Sequence, residues 1–187
     1  MIKFIIGTDT GVGKTYYGKK LIEEGHKVIK PIETGKSDFE DINQSDSYQY
    51  SIKQNLDISQ VNLYFFDTPA SPHLAAELDG LEVDLDKLED FIRNAGNCYV
   101  ELAGGLMVPI TRNFTQLDLI KSFPESQVDI VISNKLGCIN HSLLTIKVLR
   151  DNAITINKVF INNIEGQSVI TKDNEETIMT YLKTSAD

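Results

Sequence analysis

Met1-Ile-Lys-Phe-Ile-Ile6 runs without a break into Gly7-Thr-Asp-Thr-Gly-Val-Gly-Lys-Thr15. A short apolar strand that feeds a glycine-rich loop ending in Gly-Lys-Thr is the signature of a phosphate-binding P-loop. The chemistry demands these residue types. Backbone N–H groups must curl around phosphate oxygens, and Gly11 and Gly13, flanking Val12, allow conformations that side chains obstruct. Lys14 sets a cation against the β- and γ-phosphates, and the Thr15 hydroxyl suits Mg²⁺. A helix starting here points its N-terminus at the anion. The spacing is unusual, because five residues separate Gly7 from Gly13 where the standard motif has four.

Outward from the loop, short β-branched or aromatic runs alternate with helical patterns. The strand candidates are Ile2–Ile6, Lys27–Lys30, Leu63–Phe66, Cys98–Glu101, Val128–Ser133 and Asn157–Asn162. Leu85, Leu88, Phe91, Ile92 and Ala95 recur at helical spacing, and Leu143, Leu144, Val148 and Leu149 mark another helix. Apolar strands alternating with helices predict an α/β fold, a mostly parallel sheet with helices on both faces. A P-loop opening that alternation makes it a P-loop NTPase-like fold. Ligands in such folds collect at the carboxyl ends of strands. Lys36–Ser45 is polar and acidic and reads as a surface loop.

At 187 residues the chain is read as one domain, residues 1–187. The net charge of −9 and the lack of a Lys/Arg cluster argue against a nucleic-acid partner. An anionic nucleotide must then be drawn in locally, by the loop, a few lysines and a metal ion. No apolar run reaches membrane-spanning length and no signal peptide is evident, so a cytoplasmic protein is expected. Cys98 and Cys138 have no metal-ligand spacing and read as reduced thiols.

Lys30-Pro-Ile-Glu-Thr-Gly35 ends a strand with a cation, a rigid proline and a turn glycine. Glu101-Leu-Ala-Gly-Gly105 puts a carboxylate where a buried strand emerges, and Gly104 and Gly105 permit close backbone approach. Such a carboxylate suits Mg²⁺ opposite Thr15, and Asp46 is a further candidate. Ser71-Pro72 reads as a helix start with Ser71 as cap, which gives His73 a structural setting. The Gly137–His141 loop enters a helix at Asn140, which can cap it or bind a carboxylate.

In identity and order, Gly-Thr-Asp-Thr-x-Val-Gly-Lys-Thr, Lys-Pro-Ile-x-Thr-Gly, Ser45-Asp46, Pro69-x-Ser-Pro-His73, Glu-x-Ala-Gly-Gly and Leu136-Gly-Cys-Ile-Asn-His141 resemble the dethiobiotin synthetase family. The long P-loop gap is that family's form, and the resemblance spans roughly residues 2 to 163. It implies an ATP-dependent cyclo-ligase that joins CO₂ to 7,8-diaminopelargonate through a carbamate, its phosphorylation, and ring closure. It further implies that Thr10, Lys14 and Thr15 handle phosphates and metal, and that Lys14 and Lys30 stabilise the carbamate and the transferred phosphoryl group. Thr34 and Gly104 fall to the substrate, and Thr15, Asp46 and Glu101 to Mg²⁺. The stretch Gly137, Cys138, Ile139 and Asn140 from a second subunit would clasp the substrate carboxylate, making the protein a homodimer.

Two departures stand out. Leu102 replaces the family's glycine after the glutamate, which matters if that position needs positive φ. Asn162 matches the residue that reads adenine, but no proline follows Pro124, so the family's proline-flanked base segment is missing and the region after about 165 is short. Only a helical pattern around Ile178–Leu182 is legible there. Two rivals differ in class. A partitioning-type ATPase would carry a lysine where Asp9 stands, and another amidoligase would need an ammonia source.

Overall fold

The computed structural model describes residues 1–164 and 166–184. In chain order the elements are β1 (Ile2–Gly7), α1 (Lys14–Glu23), β2 (Val28–Ile29), β3 (Ile32–Thr34), α2 (Asp46–Gln54), β4 (Tyr64–Phe66), α3 (Pro72–Leu78) and α4 (Leu85–Ala95). They continue with β5 (Cys98–Gly105), β6 (Pro109–Thr111), β7 (Phe114–Thr115), α5 (Gln116–Lys121), β8 (Gln127–Ser133), α6 (Cys138–Asp151), β9 (Thr155–Asn162) and α7 (Val169–Thr184).

Five strands form a parallel sheet in the order β2-β5-β1-β8-β9. Strand β1 lies at its centre, and successive side chains serve opposite faces. Phe4 and Ile6 join a core built with Leu88, Ile92, Ile146 and Ile178, from the helices α4, α6 and α7. Ile5 joins the opposite core with Tyr17, Leu21 and Tyr50, from α1 and α2. From Phe4 to Ile6 the strand is buried on both faces, which explains why that stretch is continuously apolar and not alternating, while Lys3 sits in the half-buried start of β1.

The structure corrects several boundaries. Leu63–Phe66 does not enter the main sheet; its strand, β4, pairs with β3 in a separate two-stranded parallel sheet. The segment Lys27–Lys30 contributes only Val28 and Ile29, because Pro31 interrupts the ladder before β3 begins. Strand β5 continues past Glu101 to Gly105, so the carboxylate sits within a strand rather than at its exit. Leu102 is an ordinary buried strand residue, and positive φ appears two positions later, at Gly104 (φ 74°). Helix α6 begins at Cys138 with Gly137 before it in left-handed conformation (φ 92°), so Asn140 lies in the first turn and is not the cap. The C-terminal helix is 16 residues long, starting at Val169.

Candidate active site

The P-loop is built at the carboxyl end of β1. Thr8 N–H donates to the Val131 carbonyl at 3.1 Å, tying the loop to β8. Gly7 is required sterically: a methyl there would lie 2.9 Å from Val12 Cγ2 and 3.0 Å from Lys14 Nζ. Gly13, at φ 98°, precedes the first turn of α1, and the Asn162 side chain packs over it. Asn162 Nδ2 donates to the Val12 carbonyl at 3.1 Å. Val12 itself is buried in the core on the α1 side of the sheet and does not line the cleft. Lys14 folds back over the loop and donates to the Asp9 carbonyl at 3.4 Å. Burial pulls its ammonium below the usual lysine pKa, opposed by the charge of Glu101 and reinforced by that of Lys30.

A charged centre lies beside the loop. Lys30 Nζ donates to Glu101 Oε1 at 2.9 Å and pairs with Asp46 Oδ2. Lys30 and Glu101 are buried, at 7% and 1% exposure, so the charges meet in a medium of low polarity. Burial works against the charge of Lys30, but Glu101, Asp46 and Glu33 outweigh it and push its pKa up. Burial likewise opposes the charge of Asp46, yet Lys30 and the Thr15 hydroxyl hold its carboxyl below the usual range. Three elements therefore converge. The residue after β2 brings the cation, α2 brings Asp46 as its first residue, and β5 brings Glu101.

These groups open onto a cleft of about 760 Å³. Thr10, Gly11, Gly13, Lys14 and Thr15 form one wall. Thr34, Gly35 and the Pro69–Pro72 turn also line the cleft, as does Gly104, whose Cα side faces Thr10. Ser71 does precede α3, but its hydroxyl meets His73 Nδ1 at 3.1 Å and caps no backbone N–H. The residues 137–140 do not line this cleft. Cys138 is buried, its thiol 3.8 Å from Asn134 Oδ1, and Ile139 packs on the core. Asn140 is exposed on the first turn of α6.

The donor set suits Mg²⁺. Among the described residues no group of three or more His, Cys, Asp or Glu side chains could hold a metal ion. Thr15, Asp46 and Glu101 instead offer one hydroxyl and two carboxylates, and both carboxylates reach the same Lys30 nitrogen. Mg²⁺ is typically held by one or two carboxylates together with phosphate oxygens, not by an all-protein cage.

Two residues escaped the sequence reading. Glu33 accepts from Asp46 N–H at 2.7 Å, from Ser47 N–H at 2.9 Å and from the Ser47 hydroxyl. The Tyr50 hydroxyl donates to Glu101 Oε2. Glu33 stood inside the Lys-Pro-Ile-Glu-Thr-Gly motif, but its partners are on a helix that the local pattern did not announce.

A family model described as "AAA domain" matches residues 3–186. A ParA family ATPase from Chlorobium tepidum TLS shares the fold, with a TM-score of 0.53 over 96% of this chain and 79% of that one, at 14% identity. The ATP-dependent dethiobiotin synthetase BioD of Legionella pneumophila (strain Paris) is 35% identical over 96% of this chain and 88% of its own length. That of Lawsonia intracellularis is 37% identical over 97% and 83%. The corresponding protein of Francisella tularensis subsp. novicida is 39% identical over 78% and 70%. With a family model over nearly the whole sequence and relatives above 30% identity over most of both lengths, the chain belongs to the ATP-dependent dethiobiotin synthetase family.

Proposed function

We propose that the cleft joins CO₂ to 7,8-diaminopelargonate at the expense of ATP, giving dethiobiotin, ADP and phosphate, as a step of biotin biosynthesis. One amine nitrogen adds to the CO₂ carbon and loses a proton, forming a carbamate. A carbamate oxygen then takes the γ-phosphoryl group as its bond to ADP breaks. The second amine attacks the carbamoyl carbon, expels phosphate and loses a proton, closing the ureido ring. The substrate supplies its own nucleophiles, so the protein's task is to position reactants and hold charge.

The observation that carries this reading is the meeting of Lys14 and Lys30 at one cleft. Lys14 is on the P-loop, and Lys30, held by Glu101 and Asp46, lines the same cleft as Thr34. A triphosphate on Gly11–Thr15 would bring its terminal phosphoryl group between the two ammonium groups. Lys30 and Thr34 would orient the carbamate, with Thr10 and Gly104 enclosing it. Thr15, Asp46 and Glu101 would hold Mg²⁺, which when bound offsets phosphate charge during transfer.

The first turn of α6 would act across a homodimer. Asn140 is exposed there, Leu136 is 90% exposed beside it, and neither serves the cleft of its own chain. The N-terminus of a 14-residue helix favours a carboxylate, so Gly137–Asn140 of a second copy would receive the substrate's acid end. We read the protein as a single cytoplasmic domain. Among the described residues no helix is long and apolar enough to cross a membrane.

The test is direct. Purified protein with Mg-ATP, bicarbonate and diaminopelargonate should yield dethiobiotin, with one ADP released per product, as read by mass spectrometry. ATP hydrolysis without product, stimulated instead by a protein or membrane partner, would favour the partitioning-type reading.

A further inference from the structure

We infer that helix α2 is a clamp that positions both proposed metal carboxylates, with Tyr50 and Glu33 as its positioning residues. The inference rests on the reading of Thr15, Asp46 and Glu101 as the Mg²⁺ donors.

Glu33 grips the start of the helix. The first N–H groups of any helix lack internal partners and carry a partial positive charge. Here two of them, on Asp46 and Ser47, donate to the two oxygens of one buried carboxylate. Asp46 is the first residue of α2, so the bond to its own N–H fixes the backbone from which its carboxylate projects toward Lys30 and Thr15.

One turn further, Tyr50 lies on the same face as Asp46. Its ring is wholly buried, and its hydroxyl lies where a methyl at Gly18 would collide with it. The hydroxyl stands 3.4 Å from the Thr15 carbonyl and closer to Glu101 Oε2. It has one proton to give, and the nearer carboxylate receives it. The other oxygen of Glu101 accepts from Lys30. A neutral donor differs from a second lysine in a useful way: it orients the carboxylate and leaves the charge available to a cation. Ring packing alone would be served equally by phenylalanine, so the hydroxyl is the informative atom.

The experiment measures ATP binding to the full chain by calorimetry, once with Mg²⁺ and once with EDTA. Tyr50→Phe keeps the ring in the Gly18 niche and removes only the O–H. The extra affinity that Mg²⁺ confers should fall about tenfold, the scale typical of losing a group that orients a metal ligand, while affinity in EDTA stays within about twofold of the parent. Glu33→Gln should show the same selective loss from the other end of α2, because its amide N–H faces N–H donors, and it carries the test if Tyr50→Phe does not fold. Unchanged Mg²⁺-dependent tightening in the folded variants, or equal losses with and without the metal, would overturn the clamp. A parent whose ATP affinity ignores Mg²⁺ sinks the donor assignment, and absence of dethiobiotin with normal Mg-ATP binding sinks the ligation reading alone.

Discussion

Asn162, at the end of the edge strand β9, donates its side-chain N–H to the backbone carbonyl of Val12 at 3.1 Å, bracing the phosphate loop from two strands away. With that donor engaged by the loop, the amide has less to offer a nucleobase. The binding energy of a nucleotide should then come mostly from the triphosphate and its metal. We expect CTP, GTP and UTP to support turnover within about tenfold of ATP, a spread of about 1.4 kcal/mol. Measuring kcat/KM for the four triphosphates checks this, and a thousandfold preference for ATP would refute it. Asn162→Ala should weaken ATP and inorganic tripolyphosphate alike, which loss of a base contact would not do.

If the proposed roles hold, replacing either lysine of the cleft should lower turnover by about a hundredfold or more, because each would act where charge develops during transfer. Their effects on stability should differ. Lys30→Ala leaves Asp46 and Glu101 facing one another without their shared cation, and breaking a buried pair this way costs about 3–5 kcal/mol. Lys14 makes only a 3.4 Å bond to a carbonyl, so Lys14→Ala should cost far less. Comparable midpoints for the two variants in urea unfolding would contradict the structure.

The hybrid-dimer test addresses the proposed shared site. Lys14→Ala removes the phosphate cation of one site, and Asn140→Asp sets a negative charge against the substrate carboxylate on the other half. Each variant alone should be inactive or nearly so. Mixed together they should regain part of the activity, because some hybrid dimers hold one site with both halves intact. A fully active monomer in sedimentation at assay concentration would argue against the arrangement.

The thiols give a pH-linked prediction. Burial pushes the Cys98 thiol up to about 11, only partly offset by Lys27. Thiolate is the reactive form, so the native protein should leave Cys98 unmodified by a disulfide reagent at pH 8. Cys138 is buried in the first turn of α6 and should also be protected, both thiols reacting once denaturant is added. A raised folded-state pKa gives stability that is complete below the unfolded value of about 9 and is lost as pH rises towards about 11. Prompt reaction of one thiol per native chain would sink the prediction.

The sequence by itself determined the P-loop, the alternation of strands and helices, the parallel sheet and the family. Each depends on local order. Gly7–Thr15 must be contiguous to wrap a phosphate, and a strand segment buried on both faces, such as Phe4–Ile6 of β1, must be apolar throughout. Lys14, Thr15, Lys30, Thr34, Asp46, Glu101 and Gly104 could be named because their motifs are short and ordered, and the fold does bring them to one cleft. What only the tertiary structure decided is who holds whom. Helix α2 has no strong apolar stripe: it buries Ser47, Tyr50 and Ser51, of which only the tyrosine is large. Besides its Ser45 cap, it is held by the carboxylate of Glu33 and by the niche at Gly18, which arrive from other parts of the chain. The departure of β4 from the main sheet and the start of α7 at Val169 are of the same kind. Strand pairing and helix docking are settled by non-local burial, and a run such as Leu63–Phe66 satisfies either sheet equally well until its neighbours are in place.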